Sequence, residues 1–125
     1  MTTDIEQIQN VLSRYCRAVD ERSFDELAML FAEDCEVTHP AGTLNGRAAL
    51  VAGMKASLWP AGRHMTVNVE VEVHHDEGRS MSDWIWLDPT LTPAHAGRYF
   101  DDFRRVNGLW LIHTRRVTFF DKQES

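Results

Sequence analysis

The stretch Val67-Asn68-Val69-Glu70-Val71-Glu72-Val73 decides the fold. Valine alternates with polar residues at a period of two, which is the pattern of a half-buried strand. Upstream of it the apolar residues recur at helical spacing. Downstream they recur at strand spacing.

Upstream, Thr3 and Glu6 have the spacing of a capping box. Ile5, Ile8, Val11, Leu12, Tyr15, Cys16 and Val19 then form one face of a helix ending near Asp20. Ser23 and Glu26 repeat the capping spacing. Phe24, Leu27, Leu30 and Phe31 predict a second helix that Glu33-Asp34 ends. Cys35 to His39 reads as a short strand stopped by Pro40, and Pro40-Ala41-Gly42 as a turn. Asn45 is placed to cap a third helix, Arg47 to Leu58, closed by Trp59-Pro60-Ala61-Gly62.

Downstream, His75-Asp76-Glu77-Gly78 reads as a hairpin turn. Met81 to Leu87 is the next strand, with Trp84 and Trp86 on one face, stopped by Asp88-Pro89. Ala94 to Arg105 and Leu109 to Phe120 form a second hairpin around Val106-Asn107-Gly108, and Asn-Gly is a strong hairpin signal. The order is helix, helix, strand, helix, then four long antiparallel strands. Helices segregated from an antiparallel sheet make an α+β fold. Long strands twist, so the sheet is expected to curve around the N-terminal helices as a cone. A cone of this size can enclose one small ligand.

Composition bounds the function. The 125 residues make one domain, 1–125, with 43% hydrophobic and 26% charged residues, so the chain is globular. A net charge of −6 argues against nucleic acid as a partner. No apolar run is long enough to span a membrane, and the N-terminus lacks the pattern of a secretory signal. Cys16 falls on a helical apolar stripe, which fits a buried thiol in a reducing compartment. The expectation is a cytoplasmic domain with a small-molecule partner.

Four residues stand out. Asp20 ends the first helix, where the helix dipole disfavours a carboxylate. It is therefore either solvated or held by a cation inside. His64 begins the first long strand and is either a surface residue or a general base. Arg115 sits on a mostly apolar strand face with Leu111, His113, Val117 and Phe119. If buried it needs an anion: a ligand, or an acid such as Asp20 or Asp101. Tyr15 lies on the apolar stripe with a hydroxyl that needs a partner. Cys35 and His39 have a spacing that could ligate a metal, but two cysteines without a paired motif argue against one. There is no glycine-rich phosphate loop and no nucleophilic-serine elbow. No metal or cofactor is expected.

The run Tyr15-Cys-Arg-Ala-Val-Asp20-Glu-Arg-Ser-Phe-Asp25-Glu-Leu, with Leu30-Phe31-Ala-Glu-Asp34, resembles SnoaL-like domains of the nuclear transport factor 2-like superfamily. His64-x-x-x-Asn68 and Asn107-Gly108-Leu-Trp110-Leu-Ile-x-x-Arg115 resemble them too. The resemblance spans residues 4 to 120 and implies the cone-shaped α+β barrel, called cystatin-like. It implies that Asp20, His64 and Arg115 surround one cavity: two dehydratases and a dehydrochlorinase of the superfamily match Asp20 and His64, the dehydrochlorinase and one of the dehydratases also match Arg115, and that dehydratase matches Tyr15. Asp83 corresponds loosely to a further site residue of that enzyme.

The resemblance thus implies a cofactor-independent lyase for a small hydrophobic substrate, polycyclic or aromatic among the candidates. His64 would take a proton and Asp20 would orient its ring. Arg115 would stabilise negative charge, and Tyr15 would donate to the departing oxygen. Substrate contacts are expected at His39, Trp59, Asn68, Asp83, Trp84 and Tyr99. Isomerisation by the same set, or binding without turnover, are the alternatives.

One tension remains. If His64 faces the cavity, strict alternation sends Val67, Val69, Val71 and Val73 outward, where they would form an exposed apolar patch. Either a bulge reverses the parity, or a second subunit covers them. A homodimer through the sheet is the expectation.

Overall fold

The structure, a computed structural model, describes residues 2–57 and 61–121. Helix α1, Asp4–Asp20, starts at the expected capping box: Thr3 Oγ1 accepts from the Glu6 N–H at 3.1 Å, and Glu6 Oε1 accepts from the Thr3 N–H at 3.3 Å. Its buried stripe is Ile8, Val11, Leu12, Cys16 and Ala18. The chain reverses at Arg22, whose φ is 54°, into α2, Phe24–Met29.

Here the structure corrects the expectation. The second helix stops at Met29, and strand β1, Phe31–His39, has already begun where Glu33-Asp34 was to end a helix. Tertiary pairing overrides local spacing. Phe31 pairs with Ile112, and the Ile112 N–H donates to the Leu30 carbonyl at 2.9 Å. Asn45 is corrected as well: it pairs with Glu36 in β2, Gly42–Asn45, and the cap of α3, Arg47–Ala56, is Gly46 at φ 90°. Strand β2 forms where the sequence predicts only a turn. The end of the predicted third helix at Leu58, together with Trp59 and Pro60, lies outside the described residues.

The second half follows the sequence more closely. Strands β3 (Arg63–His74), β4 (Glu77–Leu87), β5 (Pro93–Val106) and β6 (Leu109–Phe119) form a continuous antiparallel run. The sheet order is β2-β1-β6-β5-β4-β3, and β1 joins β6 in parallel. Asn107 and Gly108 take φ of 51° and 79°, the left-handed pair that a two-residue hairpin turn demands. The β3–β4 turn is tighter than expected, with Glu77 and Gly78 already in β4.

Two irregularities decide which side chains face inward. In β3 the pairing shifts between Val67 and Glu70, and Asn68 sits at φ 52°. This β-bulge turns Val69, Val71 and Val73 onto the core while His64 and Thr66 also face inward. Only Val67, 38% exposed, stays outside with Met65. Buried valines therefore give no reason for a second subunit. In β6 a shift opposite Asp102 and Phe103 makes His113 the extra residue. The inward set is therefore Trp110, Ile112, Arg115 and Val117. Leu111 and His113 do not share the Arg115 face as strict alternation had placed them.

The helices pack into the concave side of the sheet. One cluster, around Ile8, Leu12, Leu27, Phe31, Leu50 and Ile112, fills the closed end. A second, around Trp84, Trp86 and Tyr99, lines the other end beneath Tyr15, Val117 and Phe119. Among the described residues no helix is long and apolar enough to cross a membrane.

Candidate active site

Asp20 leaves the C-terminus of α1 and meets the start of β3. Its Oδ2 accepts the His64 backbone N–H at 2.8 Å, and its Oδ1 lies 2.6 Å from His64 Nδ1. The side chains are 7% and 12% exposed. The carboxylate disfavoured by the helix dipole is thus held inside by a histidine, 44 residues away in sequence. A ring that gives its Nδ1–H to Asp20 carries its basic lone pair on Nε2.

His64 borders an apolar cavity of about 160 Å³. Tyr15, Trp84 and Tyr99 form its aromatic wall, with His39 and His95 also on its lining. Trp84 stacks on Tyr99 at 6.0 Å, and its indole N–H donates to the Thr118 carbonyl at 3.1 Å. Gly97 permits this seat. A Cβ there would lie 1.8 Å from the Thr118 carbonyl oxygen and 2.8 Å from the Trp84 ring. Gly97→Ala is expected to cost roughly 1–3 kcal/mol and to perturb Trp84 fluorescence, checked by urea unfolding and emission spectra.

Arg115 is placed otherwise than the resemblance implied. Its side chain is 1% exposed and makes a two-point bond to Asp101: Nε donates to Oδ1 at 2.7 Å and Nη2 to Oδ2 at 2.9 Å. The guanidinium carbon lies 4.2 Å from the Tyr15 ring centroid and 3.8 Å from that of Tyr99. It supports the cavity wall from behind and does not line the cavity. Of the acids considered for it, Asp101 is the partner. Burial works against its charge, and Asp101 more than offsets that, so the guanidinium is held firmly protonated.

Burial also pushes the Tyr15 hydroxyl above its ordinary range, with the Arg115 charge pulling the other way. Tyr99 is pushed up further, and the Cys16 thiol is raised by burial against a 3.1 Å contact with Thr66 Oγ1. Raised values mean that the folded chain keeps protons the unfolded chain releases. Stability from these groups is full below the unfolded thiol value, about 8.5, and falls as pH rises beyond it. Melting temperature is expected to decline from about pH 8.5 upward and more steeply above about pH 10.

Asn68 and Asp83 stand apart from the cavity. Asp83 alternates with buried Ser82 and Trp84 and so points to the opposite face. There it accepts from Asn68 Nδ2 at 3.0 Å and from Arg98 Nε at 2.7 Å, and these bonds, the arginine's first, hold its carboxyl below the usual range. The structure thus brings Tyr15, His39, His64, Trp84 and Tyr99 together, with Asp20 behind His64. Asn68 and Asp83 form an outer-face ion-pair cluster. Trp59 lies outside the described residues.

Sequence reading missed His95. It shares the inward parity of Tyr99 and Gly97 on β5, a signal that was available. Among the described residues no group of three or more His, Cys, Asp or Glu could hold a metal ion.

The family model for SnoaL-like domains matches residues 1–116. The chain belongs to that family. No curated protein matches by sequence. Among solved structures similar to it is a cystatin-like-fold protein of unknown function from Nostoc punctiforme, 22% identical with a TM-score of 0.88, covering 97% of this chain and 96% of that one. A scytalone dehydratase-like protein from Novosphingobium aromaticivorans is 25% identical with a TM-score of 0.81, over 98% and 87% of the two chains. LinA is 25% identical with a TM-score of 0.81, over 90% and 83%, and a type 2 LinA, a hexachlorocyclohexane dehydrochlorinase, is 24% identical with a TM-score of 0.82, over 91% and 83%. This SnoaL-like domain therefore has lyases among its structural neighbours.

Proposed function

We propose that this SnoaL-like domain is a cofactor-independent lyase that removes a proton next to a carbonyl and expels a group from the adjacent carbon. The observation that carries the reading is the dry Asp20–His64 pair at the wall of an apolar cavity. His64 Nε2 takes the proton, and Asp20 stabilises the imidazolium that forms. Tyr15, kept protonated by burial, donates a hydrogen bond to the substrate oxygen as negative charge grows there. Arg115 acts through the Tyr15 and Tyr99 rings, adding positive potential behind them.

The cavity size narrows the substrate. An apolar cavity of about 150 Å³ accommodates benzene, so about 160 Å³ suits one six-membered ring and not a polycyclic skeleton. Dehydratase and dehydrochlorinase neighbours support elimination as the outcome. Returning the proton to another carbon would make the same site an isomerase.

A second reading has its own support. Arg115 gives Nε and Nη2 to Asp101, and the cavity lining is largely apolar, which suits binding alone. Cyclohexanone in D2O separates the two. A lyase of this design is expected to accelerate exchange of the α-protons, read by proton NMR, and to convert 3-hydroxycyclohexanone to cyclohexenone. A binding module shifts protein resonances and leaves the exchange rate at that of buffer.

A further inference from the structure

The sheet places a second histidine–carboxylate pair on the same cavity. His64 on β3 lies opposite Trp86 on β4, and Trp86 lies opposite His95 on β5. The pairing continues to the end of β6, where Phe119 faces Gly97 and the Phe120 N–H donates to the Ala96 carbonyl at 2.8 Å. His95 Nδ1 lies 2.8 Å from Asp121 Oδ2. One row across the sheet therefore reads His64, Trp86, His95, with Asp20 of α1 at one end and Asp121, just beyond β6, at the other. Neighbouring strands are about 4.8 Å apart, so the two histidine backbones stand roughly 10 Å apart. The Trp86 side chain lies between them, and all three residues border the cavity.

The two pairs differ in solvation. The His95 side chain is 37% exposed and that of His64 only 12%. The His95 ring stacks on Trp86 at 6.0 Å and meets the Phe119 edge at 6.0 Å, which fixes its plane at the cavity. A dry pair suits a base that must not be spent on water. A half-wet pair suits a group that reloads with protons from solvent.

We propose that His95, oriented by Asp121, is a further catalytic residue: the general acid that protonates the leaving oxygen. This rests on the lyase reading above. His64 Nε2 takes the α-proton, and the C–H electron pair forms the new double bond. The C–O bond breaks with its pair on oxygen, and His95 Nε2–H supplies the proton that makes water. His64 ends protonated and His95 neutral, and both reset by exchange with solvent. Tyr15 is then left as hydrogen-bond donor to the carbonyl oxygen, a role that asks it for no whole proton.

The test compares leaving groups. Hydroxide must be protonated to leave, whereas acetate departs as the anion. His95→Asn is expected to slow dehydration of 3-hydroxycyclohexanone by about 10²–10⁴-fold and to slow acetate loss from 3-acetoxycyclohexanone several-fold at most. Asp121→Asn follows the same pattern with a smaller loss. Equal losses on both substrates mark a structural role and overturn the proposal, and so does no loss on either. Wild-type protein that exchanges cyclohexanone α-protons but does not dehydrate the hydroxyketone also overturns it, with the base reading intact. Wild-type protein that does not exchange them removes the lyase reading and this proposal together. Far-ultraviolet circular dichroism confirms folding, which the exposure of His95 favours.

Discussion

Arg115→Met is expected to cost about 3–5 kcal/mol of stability, visible as a large drop in urea midpoint at unchanged slope. The reason is what the substitution leaves behind. Asp101 is fully buried, and besides Arg115 it accepts from Ser80 Oγ at 3.5 Å. Removing the guanidinium strands a carboxylate between β4 and β6. It also removes the cation over the faces of Tyr15 and Tyr99. Replacing both partners, as in Arg115→Met with Asp101→Leu, is expected to recover most of the loss, because no charge is then left without its counter-ion. A single variant costing under about 1 kcal/mol contradicts the buried-pair account. The double variant also separates stability from chemistry. If it folds and its α-proton exchange is slower, the arginine contributes potential to the site beyond its structural bond.

Asp20→Asn is expected to lower α-proton exchange by about 10³–10⁴-fold with little change in KM. Asparagine keeps an oxygen for the His64 backbone N–H, bound in the native chain at 2.8 Å, so the strand start stays in place. What changes is the ring. The amide can present N–H to Nδ1, which moves the imidazole proton to Nε2 and removes the base. It also cannot stabilise the imidazolium. His64→Asn is expected to be as slow, and the pair together no slower than either alone, because the two residues act as one unit. Additive losses in the cycle contradict a dyad. If the variants lose only stability and ring binding is intact, the binding-module reading takes over.

How much of this was legible depends on the range of the signal. The capping box at Thr3, the Asn107-Gly108 turn and the alternation of β4 arise from interactions within a few residues, and they appear where the sequence places them. The same holds for the end of α1 at Asp20 and for the aromatic parity of Trp84 and Trp86. The start of β1 was not legible, because Phe31 at helical spacing is claimed by Ile112 across the sheet. Likewise Asn45 pairs with Glu36 where its side chain suggested a cap.

By itself, then, the sequence determined helix α1, the four long strands, the Asn107-Gly108 turn and the α+β class, since helix period, strand period and caps are local properties of the chain; β2 and the start of β1 it did not. Only the tertiary structure decided which face each residue presents and which partner it meets. The bulge at Asn68 turned three valines inward without moving His64, and the extra residue at His113 reset the face that carries Arg115. Arg115 went to Asp101, Asp83 to the outer face with Arg98, and His95 to Asp121. These outcomes depend on register between strands distant in sequence. A one-residue shift in register exchanges the two faces of a strand, and no local pattern reports it.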